Sequence, residues 1–371
     1  MRPESQNEGL NVLRAACAIS VFLHHCHLFP GGWLAVDVFF VISGFLITRS
    51  IEDRPSGSPR ERLLGFYGRR VRRILPPIYL YLGLIVPLVV VFHPELISGW
   101  LASATFTYNF HYIRDGAMPS PLLSHTWSLA VEEQFYLLFP FLLLFWRRRA
   151  TPVLLVIWAV MPAVRLAFTA WADVDTAFIR PSFMPNADRM QPGSLAVYVA
   201  GLTQLDAFAI GALLRLHYRR FASWGSATAI IALVGLMAGL GWLTTGTADG
   251  AFYGPFLGTP GAYQYVWGYS LVALLGALLV LYGSDFPVVP GLLRPLATLG
   301  FYSYEFYILH LPVLYAYQSF VPQFSIVDRI IEYVVCFALT ALLAVQLNRA
   351  GRLIVDVVFR GRGLVADRGQ T

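Results

Sequence analysis

The chain has 371 residues, of which 57% are hydrophobic and 13% are charged, and its mean hydropathy is +0.61. A soluble globular domain carries about 25% charged residues, so this composition excludes an ordinary soluble protein and favours a membrane protein. The formal net charge is +6, and all 27 basic residues are arginine. A positive surplus suggests anionic partners, but its placement along the chain is more informative, and no nucleic-acid partner is expected.

Several apolar segments approach the ~20 residues that a helix needs to cross a bilayer. About ten of them are recognised, at 10–29, 33–51, 75–93, 131–147, 152–171, 195–216, 226–245, 264–283, 297–319 and 328–348. They predict an all-α, polytopic transmembrane helical bundle that occupies 1–350, followed by a cytoplasmic tail at 351–371. The stretch 100–130 mixes polar, aromatic, Pro and Gly residues, and a loop or re-entrant segment is expected there.

The arginine clusters predict the orientation of the bundle. They lie at 49–73, 147–149, 215–220 and 349–368, and counting spans places all four on one side of the membrane. The positive-inside rule makes that side cytoplasmic, with Arg114, Arg180 and Arg189 as exceptions. An integral protein of a bacterial-type inner (plasma) membrane is therefore expected, with both termini in the cytoplasm and the lipid bilayer as its solvent. The residues specify no oligomeric state.

Arg14 and His25 are ionisable residues within the first apolar segment. Such groups are costly in a bilayer, and by default they face a protein interior or a wet cavity. An 11-residue separation is close to three helical turns, or about 16 Å, so both are expected on nearly the same face. His25 is a plausible general base for a hydroxyl; the alternative is a histidine that only packs between helices. Asp37 and Ser43, in the second segment, are expected to support the site.

Four arginines, at positions 69, 70, 72 and 73, precede the third segment. Guanidinium groups bind phosphate oxygens in a bidentate manner. Arg70 and Arg73 lie about one turn apart, so they could hold a polyphosphate donor at the cytoplasmic mouth if both face inward. The alternative is a topology anchor at the lipid headgroups.

A dense polar patch opens the fourth segment, with Trp127, Ser128, Glu132 and Glu133 among its residues. Negative charge is favoured at a helix N-terminus, so capping is one explanation of the two carboxylates. The other is that they orient a catalytic histidine or bind a sugar hydroxyl.

The ninth segment carries a further embedded histidine, His310. A packing role and a direct role in the site are both open for it. At the predicted depths, His25, Glu132 and His310 share one layer, with Arg14 beneath them. The three cysteines, Cys17, Cys26 and Cys336, show neither metal-ligand spacing nor a disulfide framework, and no metal is expected.

Taken in order, these motifs resemble the acyltransferase-3 family of integral membrane O-acyltransferases. The matching pieces are Arg14 with His25, Gly32 to Ile47, Arg70 with Arg73 before Ile74, Trp127 to Tyr136, and Ser303 to His310. The resemblance covers roughly residues 8–350, and five motifs in order make it specific.

The resemblance implies transfer of an acyl group, commonly acetyl, from cytoplasmic acyl-CoA to a hydroxyl of a sugar or glycoside, such as a surface polysaccharide of the cell envelope. It implies that His25 and Arg14 are catalytic with Glu132 in support, and that Arg70 and Arg73 bind the donor. The remaining residues, Asp37, Ser43, Trp127, Ser128, Glu133 and His310, would support the site or bind the acceptor. Acyl-CoA would be a co-substrate, and no permanently bound cofactor is expected.

Two alternatives remain open at this point. The first is a transporter or flippase for a glycan or lipid-linked sugar, in which the embedded Arg, His and Glu would form a proton relay. Transporters often contain internal repeats, and none is visible here. The second concerns mechanism, because His25 could act as a general base or could carry the acyl group itself.

Overall fold

The computed structural model describes residues 7–53, 56–115, 120–175, 197–245, 268–286, 288–321 and 325–360. Every regular element within these ranges is helical. The main helices are α1 (Glu8–His25), α2 (Ala35–Glu52), α3 (Pro59–Phe92), α4 (Ile97–Ala104), α5 (Tyr108–Asp115), α6 (Thr126–Phe145), α7 (Arg147–Asp175), α8 (Leu205–Leu216), α9 (Ala227–Thr245), α10 (Tyr269–Ser284), α11 (Arg294–Phe301), α12 (Ser303–Phe320) and α13 (Ile326–Arg360). Short 3₁₀ turns and a four-residue helix, Tyr218–Phe221, connect some of them.

Among the described residues, five helices are long and apolar enough to cross a membrane: Gly31–Glu52, Pro59–Phe92, Thr126–Phe145, Arg147–Phe168 and Ile326–Val358. A sixth span is added if Tyr218–Trp224 and Ala227–Leu240, which are bent by 74° at their junction, count as one. The all-α prediction is confirmed, whereas the count of about ten spans is not.

The shortfall has physical causes that can be seen in individual helices. The first predicted span forms α1, which reaches 18 residues but is made polar by Arg14 and by the histidines at its end. Of the predicted span 264–283, residues 264–267 lie outside the described residues, and the described helix α10 has 16 residues. The predicted span 297–319 is interrupted at Tyr302, where α11 ends and α12 begins.

Two other boundaries also differ from the sequence expectation. The stretch 100–130 contains the helices α4 and α5, which pack close to α6, and α6 already begins at Thr126. The last helix continues past residue 350 to Arg360, so the expected boundary between domain and tail falls inside α13. Residues 361–371 of the tail, as well as Arg180 and Arg189, lie outside the described residues.

The length of α3 explains how one helix can carry both arginines and a membrane span. Its 34 residues correspond to about 51 Å, well beyond the ~30 Å hydrocarbon core. A capping box between Ser58 and Glu61 starts the helix. Its first turns can therefore lie outside the apolar core and bring Arg70 and Arg73 to the rim of the bundle.

Helix α2 contacts α1, α6, α8 and α10, and glycines allow its closest approach. A methyl group on Gly44 would overlap the carbonyl oxygen of Phe208, and one on Gly211 would overlap that of Val41. Small residues at a crossing let two membrane helices pack backbone against backbone. This crossing fixes the rotation of α2 and thereby directs Ser43, next to Gly44, towards α6.

An ion-pair cluster joins the ends of three helices. Glu52 at the end of α2 pairs with Arg147 of α7 and lies 3.9 Å from Arg215 of α8. Asp53 pairs with Arg215, and with Arg49 at 3.2 Å. Three of the predicted arginine clusters therefore meet at one end of the bundle.

Candidate active site

A cavity lies between α1, α2, α3, α6 and α12. Its polar lining consists of Arg14, Ser43, Arg70, Arg73, Ser128, Glu132, Tyr136, Ser303, Tyr304 and Tyr307. Apolar side chains from α2, α3 and α6 complete the wall. A cavity with a few convergent polar groups in an apolar wall is the usual form of a small-molecule site.

One side of this cavity is a hydrogen-bonded carboxylate. Ser43 donates its hydroxyl to Glu132 Oε1 at 2.9 Å. The Tyr136 hydroxyl lies 3.2 Å from Glu132 Oε2 and 3.0 Å from Ser43 Oγ. Tyr136 follows Glu132 by one turn of α6, so the helix presents both on the same face. The network holds the Glu132 carboxylate in a single orientation at the cavity wall.

The cavity wall is also strongly basic, with Arg14 from α1 and Arg70 and Arg73 from α3. The Arg70 guanidinium lies over the Tyr136 ring, 4.5 Å from its centroid. Within the described ranges, none of the three guanidiniums forms an ion pair with a carboxylate. Glu132 and Glu305 are the acidic groups near enough to act on Arg14. Positive charge exceeds negative charge here, so the cavity suits an anionic ligand.

A second cavity adjoins the first and shares Arg14, Leu46, Arg70 and Arg73 with it. Its further lining includes Arg49 and Arg69. The two cavities therefore lie side by side along these four side chains. The second one forms a basic vestibule at the arginine-rich end of the bundle, next to the cavity that contains Glu132.

The inner end of the cavity is formed by Ser128 and Tyr307. The Ser128 hydroxyl lies 2.7 Å from the Tyr307 hydroxyl, and both lie near the His125 carbonyl oxygen, at 3.2 and 3.3 Å. This pair of hydroxyls separates the cavity from a group of histidines behind it.

The histidine group consists of His25, His125 and His310. The His310 ring lies 5.2 Å from the His25 ring and 5.7 Å from the His125 ring, between centroids. The Tyr307 ring also packs against His310, at 5.2 Å. In the part of the chain that the structure describes, no group of three or more His, Cys, Asp or Glu is arranged to hold a metal ion.

Comparison with known proteins identifies the family to which this arrangement belongs. Residues 7–349 match the model of the acyltransferase-3 family, which is described as an acyltransferase domain. The chain belongs to the acyltransferase-3 family. It is similar to the peptidoglycan O-acetyltransferase OatA of Listeria monocytogenes, with 29% identity over 82% of this chain and 49% of that protein.

It is also similar to the O-acetyltransferase OatA of Staphylococcus aureus, with 26% identity over 91% of this chain and 55% of that protein. The chain thus spans about half the length of these curated relatives. No solved structure matches the chain.

The family's Arg–His pair is split between two regions in this chain. Arg14 lies at the basic cavity together with Glu132, whereas His25 lies behind the Ser128–Tyr307 pair together with His310. The expectation that Glu132 shares a layer with His25 is wrong. Helix α6 begins at Thr126, so Glu132 lies six residues, or about 9 Å, inside the helix instead of at its outer end.

Asp37 also lies outside the predicted site. It is 1% exposed and does not line the cavity, and the charges that act on it come from Arg165 and Asp206. Arg165 is fully buried and pairs with Asp206. It also donates to the Thr203 carbonyl at 3.0 Å and to the Ser270 hydroxyl at 3.1 Å. Asp37 therefore faces a second charged cluster, away from His25.

The two other predicted supporting residues have different positions. Trp127 is buried against Tyr198, with ring centroids 4.6 Å apart, and does not line the cavity. Glu133 is half-buried near Glu132 and Arg70 and does not line it either. The sequence analysis assigned no site role to Tyr136, Tyr307 or Arg165. Arg165 could have been recognised because it is an arginine in the middle of the apolar segment 152–171, whereas a tyrosine in an apolar helix does not stand out in this way.

Proposed function

We propose that this protein is a membrane-bound O-acyltransferase that transfers an acyl group, commonly acetyl, to a sugar hydroxyl of a cell-envelope polymer. The observation that carries the proposal is the pair of adjacent cavities that extend from the basic vestibule, past Arg14 and Glu132, to the Ser128–Tyr307 pair. The Tyr307 ring contacts His310, which in turn lies beside His25. Membership of the family supports the reaction class. The names of the two relatives support acetyl as the group and a polymer such as peptidoglycan as the acceptor.

The proposed donor is acyl-CoA, which would enter from the cytoplasmic side. Arg70 and Arg73 line both cavities without a carboxylate partner among the described residues, so phosphate oxygens could provide the missing negative charge. The meeting of Glu52, Arg147 and Arg215 at the vestibule end supports a basic, cytoplasmic face by the positive-inside rule. Both termini would lie on that side.

The geometry suggests that different residues along the path bind the donor and carry out the reaction. The donor phosphates would lie at the arginines, and the pantetheine arm would extend past Ser43 and Glu132 towards Ser128 and Tyr307. His25 would remove the proton of the acceptor hydroxyl. The resulting oxygen nucleophile would attack the thioester carbonyl, the carbon–sulfur bond would break, and the thiolate would take the proton from His25.

This geometry changes the role proposed for Arg14. Arg14 and His25 are separated by about 16 Å along α1, so Arg14 would bind the donor instead of stabilising the oxyanion next to His25. The hydroxyls of Ser128 and Tyr307 lie at the inner end of the cavity and are the candidate donors of hydrogen bonds to that oxyanion.

The test is an assay of the purified protein in lipid nanodiscs with acetyl-CoA and soluble peptidoglycan fragments. The expected products are free CoA thiol and an O-acetyl ester on the glycan, detected by mass spectrometry. His25→Ala should abolish both. His27→Asn is the matched control, because His27 is exposed and its φ of 59° is one that Asn tolerates.

Each outcome has a defined meaning. Ester formation by His25→Ala at the wild-type rate would contradict the catalytic assignment. Failure of acetyl-CoA as donor, with ester formed from another activated acyl group, would contradict the donor but not the reaction class. A stable acyl adduct on His25, trapped by acid quench before acceptor is added, would favour the acyl-carrying mechanism over general-base catalysis.

A further inference from the structure

The tautomer of His310 is set by a backbone contact. Its Nδ1 lies 2.6 Å from the carbonyl oxygen of Tyr307, one turn earlier in α12. A carbonyl oxygen only accepts hydrogen bonds, so Nδ1 must carry the proton. In the neutral ring, Nε2 then carries the lone pair and acts as an acceptor.

That acceptor has no partner in the part of the chain that the structure describes. His310 is 1% exposed, and its Nε2 makes no hydrogen bond there. Buried polar atoms are nearly always satisfied, so an exception calls for an explanation. The rings next to His310 are those of His25, His125 and Tyr307.

Of these neighbours, His25 is the one suited to donate to Nε2. Its ring centroid lies 5.2 Å from that of His310, a separation at which facing imidazole nitrogens come within hydrogen-bond reach. His25 is half-buried, so its other nitrogen can still meet a substrate. The ring nitrogens of His125 also make no hydrogen bond among the described residues, but that ring is 3% exposed and lies farther from His310, at 5.7 Å, so it has no nitrogen open to a substrate.

We infer that His310 is a positioning residue for His25: as substrate binds, His310 Nε2 accepts a hydrogen bond from one N–H of His25, a contact of the kind that tightens only in the complex, and the lone pair of the other nitrogen is left directed at the acceptor hydroxyl. The inference rests on the proposed function. His310 keeps its own proton on Nδ1 throughout. The proton of the acceptor hydroxyl moves to His25 and then to the leaving thiolate, so the step balances without a second base.

The chemistry of the surroundings explains why a histidine could have this role. In hydrolytic triads a buried carboxylate orients the catalytic imidazole. A carboxylate is expensive to bury in a membrane protein, and the carboxylates Glu132 and Asp37 are committed elsewhere. A neutral imidazole with its donor already satisfied by the Tyr307 carbonyl supplies an acceptor at lower cost.

The test measures the nucleophilicity of His25 directly. The purified protein is treated with diethyl pyrocarbonate, and the rate of carbethoxylation of His25 is followed by peptide mass spectrometry. His310→Asn keeps a side-chain donor near the Tyr307 carbonyl but removes Nε2. His25 labelling is expected to slow about tenfold, the scale on which partners that orient a functional histidine act. His310→Gln, which places an amide near the Nε2 position, should recover part of the rate.

His24→Asn is the matched control. The His24 ring also lies beside His25, at 5.3 Å, but on the same helix and half-exposed. Labelling of His25 should stay within about twofold of wild type in that variant, well below the effect of losing an orienting partner. An unchanged or faster rate in His310→Asn, or an equal slowing in His24→Asn or His125→Asn, would overturn the inference.

A kinetic measurement separates this inference from the proposed function. In the acyl-transfer assay His310→Asn should lower kcat about tenfold and leave KM for acetyl-CoA unchanged, because the arginines that bind the donor are untouched. A rise in KM with normal kcat would contradict the positioning role. If His310→Asn slowed the labelling of His25 but the wild-type protein formed no ester, the contact between the two histidines would stand and the acyltransferase proposal would be overturned.

Discussion

Two clusters of embedded arginine in this protein differ in how their charge is compensated. Arg165 is fully buried, and its guanidinium contacts the Asp206 carboxylate, a backbone carbonyl and a serine hydroxyl. The Tyr269 ring lies 5.1 Å from it. Arg14, Arg70 and Arg73 instead line a cavity, with no ion pair to any described carboxylate.

The difference distinguishes an arginine that stabilises the fold from arginines that are available to bind a ligand. Both clusters place positive charge within a helical bundle, which the sequence alone marks as functional. A guanidinium whose donors are satisfied by the turn Gly201–Gln204, α8 and α10 has little left for a substrate. Guanidiniums that face an open cavity retain donors and charge, and an anion can use both.

The largest effect is expected in the satisfied cluster. Arg165→Met leaves Asp206 buried without its cation, and breaking a buried pair in this way costs about 3–5 kcal/mol. The variant should lose most of its folded, monodisperse fraction in detergent, measured by fluorescence-detected size exclusion after a heating series. The double variant Arg165→Met with Asp206→Leu should recover stability, because both charges are removed together. If Arg165→Met alone were as stable as wild type, the conclusion that Arg165 stabilises the fold would be wrong.

The opposite outcome is expected for Arg14→Ala. This variant should keep the wild-type melting profile, since no described carboxylate is left unpaired, and should lose about 100-fold or more in kcat/KM for the acyl donor, the loss typical of removing a preorganised charge contact. Arg352→Ala is a suitable control, because Arg352 stacks on Phe301 with 5.3 Å to the ring centroid and lies outside both cavities. A large loss of stability in Arg14→Ala would show that Arg14, like Arg165, stabilises the fold.

The sequence predicted features that depend on the period of a single helix. Arg70 and Arg73, one turn apart, both reach the cavity as expected, because the angle between residues on a helix is fixed. It did not predict features that depend on where a helix begins or on how it is rotated. Glu132 lies deeper than expected because α6 starts at Thr126, and Asp37 faces α7 and α8 because nearly all of α2 is buried, so its sequence shows no polar face.

A smaller effect is expected from Arg73→Lys. The positive charge is kept, but the planar fork that binds two phosphate oxygens is lost, so the Kd for CoA should rise about tenfold. Arg72→Lys is the matched control, because Arg72 lies next to Arg73 on α3 and lines neither cavity. Isothermal titration with CoA in nanodiscs measures both. Equal affinities in the two variants would remove Arg73 from the donor site.

The smallest effect is expected in the network that holds Glu132. Ser43→Ala removes the hydroxyl that donates to Glu132 Oε1, and such a hydrogen bond contributes about 1 kcal/mol, or roughly a fivefold loss of kcat/KM. Thr48→Val is its control on the same helix, because the Thr48 hydroxyl donates to the Gly44 carbonyl and Thr48 lines neither cavity. Tyr136 can still donate to Glu132 after the Ser43 hydroxyl is removed, so the carboxylate keeps one hydrogen bond. A Ser43→Ala loss that disappears in a Glu132→Gln background would show that Ser43 acts through Glu132, whereas full additivity would show that it acts on the ligand independently.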